Sequence, residues 1–62
     1  MTWFLQIHDA EGKVLLLNQS LGNYKKHSKF VDNAADKIVA QFPTAKRWQV
    51  RPEVYTSKVI LW

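Results

Sequence analysis

One stretch in the middle of the sequence repeats its apolar residues with the period of an α-helix. After Ser28, a suitable N-cap residue, apolar side chains recur at steps of three and four: Val31, Ala34, Ala35, Ile38, Val39 and Phe42. The polar residues fall on the opposite side: Lys29, Asp32, Asn33, Asp36 and Lys37. Because proline cannot continue a helix, the sequence predicts one amphipathic helix of about 14 residues between Ser28 and Pro43.

The segments on both sides of this helix have the two-residue alternation of β-strands or are continuously apolar. Asp9 and Gly12 lie in a short segment between the first two of them and are typical of a hairpin turn. The polar segment 19–23 is expected to be a loop. The pattern predicts four strands: Thr2–His8, Val14–Asn18, Lys46–Arg51 and Val54–Trp62.

The predicted order is ββαββ, which gives a single α+β domain over residues 1–62. We expect one antiparallel sheet with a single helix packed on one face. Trp3, Leu5, Ile7, Trp48 and Val50 would join the helix in the core. Apolar residues are left for the uncovered face, where they would form a binding or subunit interface: Phe4, Ile60 and Trp62, with part of the Val14–Leu17 run. The alternative is that twist of the short sheet brings some of them into the core.

A chain of 62 residues supports only a small core, and such domains often need a disulfide, a metal or a partner subunit. This chain has no cysteine, so self-association as a homodimer remains an option. The apolar start, Trp3 to Leu5, is interrupted at once by Gln6 and His8. It therefore predicts neither a signal peptide nor a membrane span, and we expect a cytoplasmic protein.

The residues of the common catalytic and metal sites are poorly placed. His8 lies in a predicted strand and His27 in a basic loop, without the spacing that pairs imidazoles at a metal or beside a serine nucleophile. The two glycines, Gly12 and Gly22, form no phosphate-binding loop. We therefore expect neither an enzyme nor a cofactor or metal site.

Basic residues crowd the start of the predicted helix, where the helix dipole favours acidic ones. Lys25, Lys26, His27 and Lys29 precede the first acid, Asp32. A bound anion such as a nucleic-acid phosphate would turn this repulsion into attraction. The alternative is that the long side chains extend into water at small cost.

A second basic group lies on the predicted third strand. Lys46, Arg47 and Arg51 are interleaved with Trp48 and Gln49. If Arg47, Gln49 and Arg51 share a face with Lys58 and Trp62, the sheet presents donors beside aromatic rings. Such a surface is suited to phosphate contacts and base stacking. Alternating charges on an open sheet face also keep a protein soluble, which is the competing interpretation.

Half of the chain resembles a known family. The hairpin residues Glu11 to Leu15, then Ser20, Tyr24–Lys25 and a helix with Ala35 and Ile38, resemble the YegP-like small bacterial domains. The spacing from serine to tyrosine differs, and the glycine before the helix isoleucine is missing. We therefore transfer no function or site residue from that family.

Nine Lys and Arg residues against five Asp and Glu residues give a net charge of +4, which favours a polyanionic partner. We therefore expect a small binding module for DNA or RNA, without a membrane partner. The alternative is a protein-interaction module, an inhibitor or adaptor of a larger complex, which would dock through the apolar patch or an edge strand. Salt-dependent binding to nucleic acid distinguishes the two.

Overall fold

The computed structural model of the chain describes residues 1–55, which form three strands and one helix in the order ββαβ. The elements are β1 (Thr2–Asp9), β2 (Val14–Asn23), α1 (Lys29–Val39) and β3 (Ala45–Arg51). The strands make one antiparallel sheet in the order β2-β1-β3, with α1 packed against one face. The predicted α+β class and the single helix are confirmed.

Within residues 1–55 the ββαββ order is not matched, because no fourth strand begins there. Val54 and Tyr55 have no strand conformation, and residues 56–62 lie outside the described residues. Pro52 and Glu53 form a bend. Proline is a poor residue for a two-residue hairpin loop because it cannot adopt positive φ, so β3 is not followed by a tight hairpin.

The hairpin between β1 and β2 forms as the turn residues predict. The Asp9 side-chain Oδ1 accepts hydrogen bonds from the amides of Glu11 and Lys13, at 2.9 and 2.8 Å. Gly12 adopts a φ of 83°, which glycine tolerates without a steric cost. These contacts set the register at the start of β2.

Strand β2 is five residues longer than predicted, because the segment 19–23 pairs with β1 instead of forming a loop. Gln19 pairs with Leu5 and Gly22 pairs with Trp3. The register shifts at three places along β1, and such irregularities allow polar and glycine residues to continue a strand. Gly22, at a φ of 114°, supplies a conformation that other residues rarely adopt.

Helix α1 ends four residues before Pro43. After Val39 the backbone bonds change to the tighter three-residue spacing, from the amide of Gln41 to Ile38 O and from that of Phe42 to Val39 O. A proline disfavours the helical conformation of the residue before it, here Phe42, so the chain leaves the helix early. Phe42 still packs against the core as predicted.

The core lies between α1 and the sheet. Leu5, Ile7 and Val31 are fully buried there, and burial of each such side chain contributes about 1.5–3 kcal/mol. Trp3, Leu21 and Ala35 complete the buried cluster. In the described part of the chain, no helix is long and apolar enough to cross a membrane.

Candidate functional site

Three of the four predicted cations at the start of α1 are exposed and have no carboxylate partner. Lys25, Lys26 and Lys29 are exposed, and within residues 1–55 no acidic group lies within 4.0 Å of their ammonium groups. His27 differs, because its Nε2 lies 2.6 Å from Asp32 Oδ1. The N-cap Ser28 makes no side-chain capping bond. The positive end of the helix is therefore only partly compensated within the described residues.

The loop that carries these cations is tied to the start of β1. The indole N–H of Trp3 donates to the Tyr24 carbonyl oxygen at 3.1 Å. The Trp3 ring also lies against the His27 ring, with 5.2 Å between centroids. The Tyr24 amide donates to Met1 O at 2.8 Å. Lys25 and Lys26 thus project from a loop whose backbone is fixed on both sides.

A groove of about 480 Å³ runs between α1 and the end of β2. We call it the basic groove. Its lining includes Ser20, Tyr24, Phe30, Asn33, Lys37 and Ile38. The Phe30 side chain is 60% exposed, and Lys29 Nζ lies 5.9 Å from its ring centroid. An exposed aromatic ring therefore lies among lysines on a concave surface.

A second groove, of about 500 Å³, lies on the other side of the helix, against β3. We call it the acidic groove. His27, Asp32, Asp36 and Trp48 line it, with Ala35 and Val50 at its base. Helix α1 therefore presents carboxylates to one groove and a lysine and an amide to the other. The sequence pattern placed all of these polar residues on one outer face and did not separate the two sides.

Trp48 was predicted to lie in the core, and this prediction is wrong. Its cross-strand partner is Ile7, so it does face the helix side of the sheet. However, its side chain is 43% exposed. Strand β3 is an edge of the described sheet, and the helix residues that share the groove with Trp48 leave its indole partly uncovered. Val50, two residues later, packs on the core as predicted.

Arg47 and Arg51 of the second basic group lie on the face of the sheet opposite the helix, which we call the far face. Arg47 pairs with His8 and Arg51 pairs with Phe4. The Arg51 guanidinium lies 5.0 Å from the Tyr55 ring centroid and 4.0 Å from Glu53 Oε1. Lys46 is exposed, and Lys58 lies outside the described residues. The structure thus separates Arg47 and Arg51 from the basic groove by the thickness of the sheet.

The far face is more polar and more covered than the sequence predicts. Phe4 is half-buried, whereas Gln6 and His8 beside it are buried. The other two residues of the predicted apolar interface, Ile60 and Trp62, lie outside the described residues. The apolar interface of Phe4, Ile60 and Trp62 therefore stays a prediction.

Tyr55 crosses the far face. Its backbone N–H donates to Asn18 Oδ1 on β2 at 2.7 Å, and its hydroxyl donates to Gln49 O on β3 at 2.6 Å. Because β1 lies between these strands, the residue spans the central strand. Burial raises the pKa of Tyr55 to about 12, and the nearby Arg51 acts in the opposite direction. The hydroxyl therefore stays protonated at neutral pH and acts as a structural donor.

No group of three or more His, Asp or Glu side chains within residues 1–55 is arranged to hold a metal ion. Comparison with known proteins finds no matching family model, no matching curated protein and no matching solved structure. The resemblance to the YegP-like domains therefore gains no support.

Proposed function

We propose that this chain is a non-enzymatic module that binds single-stranded nucleic acid in the basic groove. The observation that carries the proposal is the 60% exposed ring of Phe30, which lies in a concave surface with Tyr24 and Lys37. Water-exposed apolar rings among cations are typical of surfaces on which unpaired bases stack. The proposed partner is therefore single-stranded DNA or RNA.

The charges around the groove favour a polyanion. Lys37 lines the groove, and Lys29 Nζ lies 5.9 Å from the ring centroid of Phe30, another lining residue. Lys25 and Lys26 directly follow the lining residue Tyr24 in the sequence. The carboxylates of Asp32 and Asp36 line the other side of the helix. A strand in the basic groove would meet four ammonium groups, while the helix separates its phosphates from the acidic residues.

Phe30 and Tyr24 would supply the stacking, and the amide of Asn33 would hydrogen-bond base edges. Each base stacked on an aromatic side chain contributes about 1–3 kcal/mol and requires no particular sequence. A groove with two rings would hold one or two bases. The proposal therefore predicts binding with weak sequence preference and strong dependence on salt.

The first experiment measures fluorescence anisotropy of labelled oligothymidylate and oligouridylate at several salt concentrations. Four phosphate contacts predict a slope of log affinity against log salt of about −2.8 on a single strand. Replacement of Lys25 and Lys26 by Gln should reduce the slope to about −1.4. The matched control, Lys46→Gln with Arg47→Gln, removes the same charge from β3 and should leave the slope unchanged.

The second experiment tests stacking. Phe30→Ala should weaken binding roughly 5- to 150-fold, whereas Phe30→Tyr should retain most of the affinity because it keeps the ring. Binding that is absent at low salt would refute the proposal. If the control variant, Lys46→Gln with Arg47→Gln, weakens nucleic-acid binding as much as Phe30→Ala does, the binding site is the second basic group instead.

A further inference from the structure

The acidic groove is chemically distinct from the site of the proposed function. Helix α1 presents Asp32 and Asp36, one turn apart, on the side that faces β3. Within the described residues the Asp36 carboxylate has no ion-pair partner, and Asp32 pairs only with His27, at 2.6 Å. On a chain whose net charge is +4, this groove is lined by two carboxylates and by no lysine or arginine. It would repel phosphate and attract a cation.

An aromatic ring lies in the same groove. Trp48 is 43% exposed and lines the groove opposite the helix residues. The face of an indole attracts cations more strongly than any other side-chain ring. Tryptophan is also the residue type most enriched at the energetic centres of protein interfaces. Carboxylates and an exposed indole across one groove thus complement a group that is both positively charged and flat.

We propose that the acidic groove binds an arginine side chain of a partner protein. A guanidinium can stack on the Trp48 indole and donate paired hydrogen bonds to a carboxylate at its edge. A lysine ammonium has neither the plane for stacking nor the forked donors. The volume of about 500 Å³ is sufficient for an arginine side chain together with part of its backbone. This inference does not depend on nucleic-acid binding in the basic groove.

The test is an NMR titration of the ¹⁵N-labelled chain with a blocked pentapeptide, Gly-Arg-Gly-Arg-Gly. The expected result is a saturable shift of the Trp48 indole N–H and of the Ala35 and Asp36 amides. The same peptide with citrulline, which keeps the shape and lacks the charge, should produce no saturable shift. A lysine peptide should bind at least about twofold more weakly than the arginine peptide.

Two substitutions test the contributions of the carboxylate and of the indole separately. Asp36→Asn and Trp48→Leu should each weaken binding about two- to fivefold. Glu11→Gln, which removes an exposed carboxylate from the β1–β2 turn, is the matched control and should have no effect. Equal binding of the citrulline peptide, or shifts centred on the basic groove or the far face, would overturn the proposal. Equal binding of the lysine peptide would overturn the assignment to arginine.

Discussion

Replacing Tyr55 by phenylalanine should have opposite effects on stability at neutral and at high pH. The Tyr55 side chain is 3% exposed, and its hydroxyl donates to Gln49 O at 2.6 Å. At pH 8 the substitution removes this hydrogen bond and leaves the carbonyl oxygen without that donor. The expected cost is about 1 kcal/mol of unfolding free energy.

At high pH the Tyr55 hydroxyl lowers the unfolding free energy of the wild-type protein. Its pKa is about 12 in the folded protein against 10.0 for an ordinary tyrosine, so unfolding releases a proton between these two values. The stabilisation is complete below pH 10 and is lost as the pH rises toward 12. The loss is about 1 kcal/mol at pH 11 and approaches about 3 kcal/mol beyond pH 12. Phenylalanine has no proton to release.

The two effects should cancel near pH 11, where the variant and the wild type should differ by less than about 0.5 kcal/mol. Above that pH the variant should be the more stable protein. Urea unfolding followed by tryptophan fluorescence at several pH values between 8 and 11.5 measures this difference. Deprotonation of lysines affects both proteins alike and cancels. A stability difference that stays constant over this range would refute the reasoning.

Three further substitutions test the packing and the strand irregularities. Leu5→Ala empties a fully buried core position and should reduce the unfolding free energy by about 2–5 kcal/mol in urea titrations; a loss below about 1 kcal/mol would contradict the core assignment. Asn18→Ala removes both side-chain bonds to the Tyr55 backbone and should cost about 1–3 kcal/mol by the same assay, with Asn18→Asp, which keeps only the acceptor, falling between. Gly22→Ala would place a methyl group 3.1 Å from Tyr24 Cε2 at a φ of 114° and should cost about 1–3 kcal/mol; an unchanged Tm would show that this glycine is dispensable.

Periodicity predicted the elements whose side chains face the core. The alternation of Trp3, Leu5 and Ile7 places β1 correctly, and the stripe from Val31 to Phe42 locates α1. These patterns are readable because burial acts on every second residue of a strand and on every third or fourth residue of a helix. The α+β class and the antiparallel sheet follow from these patterns, together with the turn residues between β1 and β2.

The remaining features depend on contacts between residues distant in sequence. The end of β2 is polar, so only its pairing with β1 shows that residues 19–23 form a strand. The exposure of Trp48 depends on where the helix lies over the sheet edge. Sequence reasoning missed Phe30 as a site residue. Within α1 it is the one large apolar residue that does not belong to the apolar stripe. An apolar residue on the polar side of a helix was the available signal.

The structure also divides the predicted basic residues between two faces of the sheet. The predictions grouped Lys25, Lys26 and Lys29 with Arg47 and Arg51, because charge alone gives no direction in space. The pairing of Arg51 with Phe4 puts the arginines on the far face. Within the helix, a shift of one or two positions decides whether a side chain faces β2 or β3, as Asn33 and Asp32 show.

The Trp3 side chain connects the core to the loop that carries the lysines. Its ring is 7% exposed, and its N–H and its face both hold that loop, through Tyr24 and His27. A molecule that immobilises the loop therefore also secures the first strand against fraying. Ligands of this protein should accordingly reveal themselves by raising its melting temperature and slowing amide exchange at the start of β1. Thermal-shift screening of unlabelled compounds then becomes a direct route to its partner.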